Sequence, residues 1–200
     1  MSKGRMEAFS DGVLAVIITI MVLEMRPPHL TGLSALRPVA PIFLSYILSF
    51  IYIGIYWSNH HHLLHAVDRV SGAVLWANLH LLFWLSLIPF TTAWLGENHL
   101  TSWPAALYGI VLLLAALAYY ILAKALIAVQ GSHSMLAEAL GRDKKTVLSG
   151  VIYAVSIPLA FVAAWIACAG YVIVAILWLI PDRRIERRIA AGGEAGRSLE

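Results

Sequence analysis

Several side chains able to do chemistry crowd the start of the first apolar run: Arg5, Glu7, Ser10 and Asp11. On a helix Arg5 and Phe9 stand four residues apart on one face, and Glu7 and Asp11 do the same on a neighbouring face. Carboxylates in the first turns of a helix are favoured by its macrodipole, which accounts for Glu7 as part of a solvated helix start. Asp11 lies more than a turn inside the apolar run, where an ionisable side chain is costly and is normally paired. A second group is Trp57-Ser58-Asn59-His60-His61-His62-Leu63-Leu64-His65. His61 and His65 have the i, i+4 spacing of metal ligands, but no cysteine or carboxylate cluster nearby completes a set of four. A polar network at a membrane surface is the better reading. Asn78 and His80 follow, early in the third apolar run.

Depth ties these groups together. Asp11 near the start of one run, His60 at the end of the next, and Asn78 and His80 near the start of the third would share one membrane level. Buried polar groups need partners, so a network joining Arg5, Asp11, His60 and Asn78 is expected, serving at least to hold helices together. Beyond Asp11 the first run is uncharged until Glu24. Val16, Ile20 and Leu23 fall at i, i+4 and i+7 as one apolar stripe, with Thr19 beside it. Such a stripe faces lipid or a packed core. If several copies meet at an axis, it forms apolar rings that gate by dewetting.

Other chemistries lack their signatures. There is no Thr-Val-Gly-Tyr-Gly filter run of an ordinary potassium channel. No phosphate-cradling glycine loop, Gly-x-Ser-x-Gly elbow or His-Glu-x-x-His helix is present. No nucleophile and base can be assembled, so the sequence does not support an enzyme. The basic residues form no aromatic-interleaved patch for nucleic acid. The single cysteine, Cys168, excludes an intrachain disulfide and a cysteine-based metal site.

The elements that must position these groups are membrane spans. The chain has 200 residues, 60% hydrophobic and 12% charged, where a soluble domain carries about 25% charge. Lipid must solvate much of the surface. A span needs about 20 mostly apolar residues, and runs at about 6–25, 38–57, 72–95 and 103–129 qualify. The first has no small-residue cleavage site before Pro27-Pro28 and reads as a retained span rather than a leader. The last apolar stretch, 147–180, is too long for one helix. Pro158 and Gly170 interrupt it, which predicts spans at 147–164 and 168–180 with the turn near Trp165 to Gly170. A basic tail, 183–200, follows.

Charge asymmetry supports six spans with both termini inside. Lys3, Arg5, Arg69, Lys124, Arg142, Lys144, Lys145, Arg183, Arg184, Arg187, Arg188 and Arg197 then lie on the cytoplasmic side, and only Arg26 and Arg37 opposite. Twelve against two is a strong positive-inside bias. The fold expected is an all-α, six-span membrane protein in the plasma membrane.

Arg5-x-x-x-Phe9-Ser10-Asp11 resembles the signature of the transmembrane protein 175 family, the lysosomal potassium channel and its bacterial relatives. The likeness continues through Gly12 to Ile20, in Trp57-x-x-His60-x-x-Leu63, and in Asn78-Leu79 with Ile88-Pro89-Phe90. It covers the first three spans well and the last three mainly by topology. The resemblance implies a potassium-permeable cation channel with no P-loop filter and no cofactor. Four chains would assemble around an axis, with the first helix of each lining the pore. Val16 would be the narrow ring, where isoleucine or leucine is usual, with Thr19 or Ile20 and then Leu23 at successive turns outward. Arg5, Phe9, Ser10, Asp11, His60 and Asn78 would form the supporting network. The competing readings are a proton-coupled transporter or proton-leak pathway, and a membrane enzyme or metal protein using the histidines. Transporters show paired repeats with broken helices meeting near mid-membrane, and one six-helix unit offers little of that.

Overall fold

The computed structural model describes residues 2–28, 32–65, 67, 69–131 and 144–179, and these are helical almost throughout. The helices are α1 (Lys3–Leu23), α2 (Ala40–His65), α3 (Gly72–Ser86), α4 (Ile88–Glu97), α5 (Ser102–Gln130), α6 (Lys144–Leu159) and α7 (Ala164–Leu179). A 3₁₀ turn, Leu33–Leu36, precedes α2. Four runs are long and apolar enough to cross a membrane: α1, α2, the combined α3–α4 run Gly72–Glu97, and α5. Two shorter apolar helices, α6 and α7, follow. The expected tail 183–200 and Arg142 lie outside the described residues.

Local chemistry sets the boundaries. Ser2 opens α1 in extended conformation, and its carbonyl accepts from the Arg5 and Met6 N–H groups. Pro27-Pro28, unable to donate N–H groups, lies just beyond the end of α1. At α3 the Ser71 side chain caps the helix by accepting from the Val74 N–H at 3.3 Å, which satisfies one of the orphan donors of a first turn.

The third run is one span by length but two helices in detail. Pro89 sits in the first turn of α4 and has no N–H to give to the preceding turn. At the junction the Leu87 N–H turns back to the Trp84 carbonyl at 3.2 Å. Sequence pattern reads one continuous span here because Leu85, Leu87, Ile88 and Phe90 keep the stretch apolar across the break.

The turn between the last two helices lies at 160–163, earlier than the expected Trp165 to Gly170. Pro158 ends α6 one residue later, at Leu159. Gly170 lies within α7 and serves close packing: a Cβ there would overlap the Ser156 side chain of α6. Gly109 plays the same part on α5, where a Cβ would overlap the Tyr171 phenol.

Apolar association gains little where lipid tails are as apolar as the side chains, so small residues that admit close packing matter most. The central helix α5 shows this. Ala105, Ala115, Ala118 and Ala123 are fully buried along it, and it packs against α3, α4, α6 and α7. Helix α1 packs instead on α2, α3 and α4, whereas α6 and α7 pack on α5 and each other, with α7 also reaching α2.

Candidate functional site

One face of α1 is anchored. Met6, Ser10, Leu14, Ile17 and Met21 are buried, at spacings of three and four that make a single helical stripe. Ser10 is the polar member, and a chain of hydrogen bonds links it to two other helices. The Asn78 amide of α3 donates to the Ser10 oxygen at 2.9 Å, and the Ser10 hydroxyl donates to the Met6 carbonyl at 2.8 Å. The other amide atom, Asn78 Oδ1, is 2.7 Å from His60 Nε2 of α2. A carbonyl oxygen has no proton to give, so His60 Nε2 is the donor. All three side chains are at most 3% exposed. A directional chain thus runs from His60 through Asn78 and Ser10 to the backbone of α1, binding three helices at one level.

The charged residues of the same segment take a different direction. Lys3, Glu7 and Asp11 face α2, which runs antiparallel, and meet His65, His61 and Trp57 in turn. Lys3 Nζ approaches the His65 carbonyl at 3.5 Å, Glu7 Oε1 lies 3.4 Å from His61 Nδ1, and Trp57 Nε1 donates to Asp11 Oδ1 at 3.1 Å. These rungs are exposed or half-buried, and pairs of that kind contribute little individually. The Arg5 side chain is exposed and has no hydrogen bond or ion pair with another described residue. Phe9 is half exposed. The structure therefore brings together Ser10, His60 and Asn78, sets Asp11 against Trp57 instead, and leaves Arg5 and Phe9 outside both groups.

The stripe Val16, Ile20, Leu23 points away from the chain's own core. Exposure is 56% at Val16, 42% at Ile20 and 73% at Leu23. Thr19, also exposed, donates its hydroxyl hydrogen to the Ala15 carbonyl at 2.9 Å and keeps its oxygen lone pairs outward. At about 100° per residue, Arg5 lies within roughly 20° of Val16 around the helix, while Asp11 is about 140° away. An apolar groove of about 240 Å³ runs between α1 and α3, lined by Met6, Phe9, Leu75, Asn78 and Leu79.

The described histidines form no ligand cage. Among the described residues no group of three His, Cys, Asp or Glu side chains is placed to hold a metal ion. The His61 and His65 rings stack at 6.0 Å between centroids, and His80 accepts from Trp84 Nε1 at 2.9 Å.

A tyrosine cluster in the other half of the bundle has no counterpart in the sequence reading. Tyr153 donates to the Tyr52 hydroxyl, which donates to the Tyr171 carbonyl at 2.6 Å; the Tyr171 hydroxyl donates to the Ala105 carbonyl at 3.0 Å. Beside it, Thr92 spends its hydrogen on the Ile88 carbonyl, so Ser49 must donate to Thr92 and Tyr108 to Ser49. Each hydroxyl has one hydrogen and each ends on a partner. Both chains stop on main-chain carbonyls, which makes them braces between helices. The available signal was the requirement that a buried tyrosine hydroxyl find a partner, with Tyr52 and Tyr56 on one face of α2.

Comparison with known proteins bears on this geometry. The family model described as endosomal/lysosomal potassium channel TMEM175 matches residues 5–89. A potassium channel of Chryseobacterium sp. (strain P1-3) is 52% identical over 189 residues, covering 94% of this chain and 98% of that one. The endosomal/lysosomal proton channel TMEM175 of Homo sapiens is 33% identical over 86 residues, 37% of this chain and 17% of that one. Among solved structures, the crystal structure of a lysosomal potassium-selective channel TMEM175 homolog from Chamaesiphon minutus matches with a TM-score of 0.75. Its sequence is 28% identical, and the match covers 89% of this chain and 96% of that chain.

Proposed function

The chain belongs to the TMEM175 family, a family of membrane channels and not of enzymes, and from that premise we propose that it is a potassium-permeable cation channel gated by apolar rings on α1. The observation that carries the reading is the exposed stripe Val16, Ile20, Leu23 on a helix whose opposite face is fixed by Ser10, Asn78 and His60. A helix anchored on one side and apolar on the other suits the wall of a shared axial pore.

In this proposal four copies assemble around an axis. The four Val16 side chains make the narrowest ring, with Thr19 or Ile20 and then Leu23 outward of it. Water leaves a narrow ring of that kind readily, and a closed, dewetted segment blocks ions without any moving plug. When the ring is wide enough to pass an ion, part of the hydration shell must be given up. Potassium holds its shell less tightly than sodium, which supplies the preference. The outward oxygen of Thr19 can accept a partly dehydrated cation. Asp11, at the mouth and turned aside from the stripe, raises the local cation concentration through its field. The α1–α3 groove would seat the neighbouring copy. Helices α6 and α7 complete six crossings, with both termini on the cytoplasmic side of the plasma membrane, in line with the positive-inside bias.

Single-channel recording from purified protein in a planar bilayer tests the proposal. Unitary currents reversing near the potassium equilibrium potential are expected, and Val16→Asn, which wets the ring, should raise their size. Substrate-coupled flux without unitary steps would sink the channel reading, and unchanged currents in Val16→Asn would remove α1 from the pore. A second reading, proton permeation through the same path, is favoured by the vertebrate relatives' description as proton channels. Acidification of dye-loaded liposomes under a potassium gradient, with and without Val16→Asn, separates proton from potassium conduction.

A further inference from the structure

The helices α6 and α7 differ from the rest of the bundle in what joins them. The turn between them is Ala160-Phe161-Val162-Ala163, and from Ile157 to Ala169 the side-chain polar atoms are confined to the Trp165 indole nitrogen and the Cys168 sulfur.

A turn entering water normally leaves some backbone donors to the solvent. Here they are closed internally. The N–H groups of Ala160, Phe161, Val162 and Ala163 donate to Ser156, Pro158, Leu159 and Leu159 carbonyls at 2.9–3.1 Å. Internal satisfaction is what a backbone requires where no water is available. The exposed side chains agree: Val162 is 79% exposed and Trp165 70%. Trp103, at the start of α5 and also exposed, stacks edge-on against Phe161 at 4.9 Å. Tryptophans of this kind gather at the membrane–water boundary. The neighbouring α4–α5 connection is the contrast, since Glu97, Asn98, His99 and Thr101 are polar and exposed.

We propose that the α6–α7 turn is a lipid-binding tip, seated in the interfacial layer of the leaflet opposite the N-terminus, with Phe161, Val162, Trp165 and Trp103 contacting lipid. The occupant is lipid rather than a second copy, because the turn is apolar throughout, its own N–H groups are closed internally, and exposed tryptophans, the residues of the membrane–water boundary, flank it.

Spin-label accessibility in proteoliposomes tests this. Val162→Cys and, as the aqueous reference, His99→Cys are each made in a Cys168→Ala background and labelled with a nitroxide. Oxygen, which concentrates in lipid, should collide with the label at 162 more often than a water-soluble nickel complex does. At 99 the order should be reversed. Trp165→Cys gives a second reading at the same depth. Preferential collision with the nickel complex at 162 would place the turn in water and overturn the proposal. Low collision with both reagents, together with dipolar broadening in fully labelled protein, would show a second copy on the tip and overturn it equally.

Discussion

Replacing Asn78 by leucine tests the clamp on α1 most directly. The substitution removes two hydrogen bonds at once, one from His60 and one to Ser10. The consequences for the partners differ. Ser10 still donates to the Met6 carbonyl, so it loses an incoming hydrogen and little else. The His60 N–H, 3% exposed, is left with no acceptor, and a stranded buried donor costs about 1–3 kcal/mol. Measured side-chain hydrogen bonds in membrane proteins average about 0.6 kcal/mol and reach about 1.7, which places the expected loss at roughly 1–2 kcal/mol. Removing both ends changes the outcome: an apolar pair strands no donor, so His60→Leu with Asn78→Leu should be less destabilised than Asn78→Leu alone. The assay is detergent-driven unfolding in mixed micelles at fixed protein concentration, followed by tryptophan fluorescence. If the two substitutions simply add, or if Asn78→Leu is as stable as the parent, the directional chain from His60 to α1 is not what holds the helix.

Other outcomes follow from single contacts. Gly170→Ala should destabilise by about 1–3 kcal/mol, the usual range for overpacking, and Ser156→Ala in the same chain should recover much of it; the same unfolding assay reads both. Asp11→Asn should lower potassium conductance roughly twofold at low ionic strength through loss of its field at the mouth. That difference should vanish near 1 M salt, where the screening length is about 3 Å, as recorded in planar bilayers.

The long spans were legible because hydrophobic length alone reports them, and the α-helical class came from the same signal. Depth was legible as well: counting residues from the ends of their runs puts Asp11, His60 and Asn78 at one level, and Ser10 adjoins Asp11. Direction was not. Consecutive residues turn by about 100°, so a network drawn from depth alone names Asp11 where the hydrogen-bonded chain to Asn78 and His60 runs through its neighbour Ser10. The turn between α6 and α7 was misplaced for a related reason. Glycine in an apolar run reads as a break, yet at Gly170 it admits the Ser156 side chain. Hydropathy likewise hid the tyrosine braces, because it scores a phenol as a mild hydrophobe and is silent on where its hydroxyl goes.

The Ser10 chain also has an order in time. Asn78 follows Ser10 by 68 residues and His60 by 18, and synthesis proceeds at about 5–20 residues per second. Helix α1 therefore exists for roughly 3–14 s before Asn78 is made, and His60 waits roughly 1–4 s. The serine is suited to that interval, since its bond to Met6 is closed within its own helix and needs nothing from later segments. Asn78 leaves the ribosome last and finds both partners already present, so the step that fixes α1 is the delivery of the third apolar segment, before α5 to α7 have been translated.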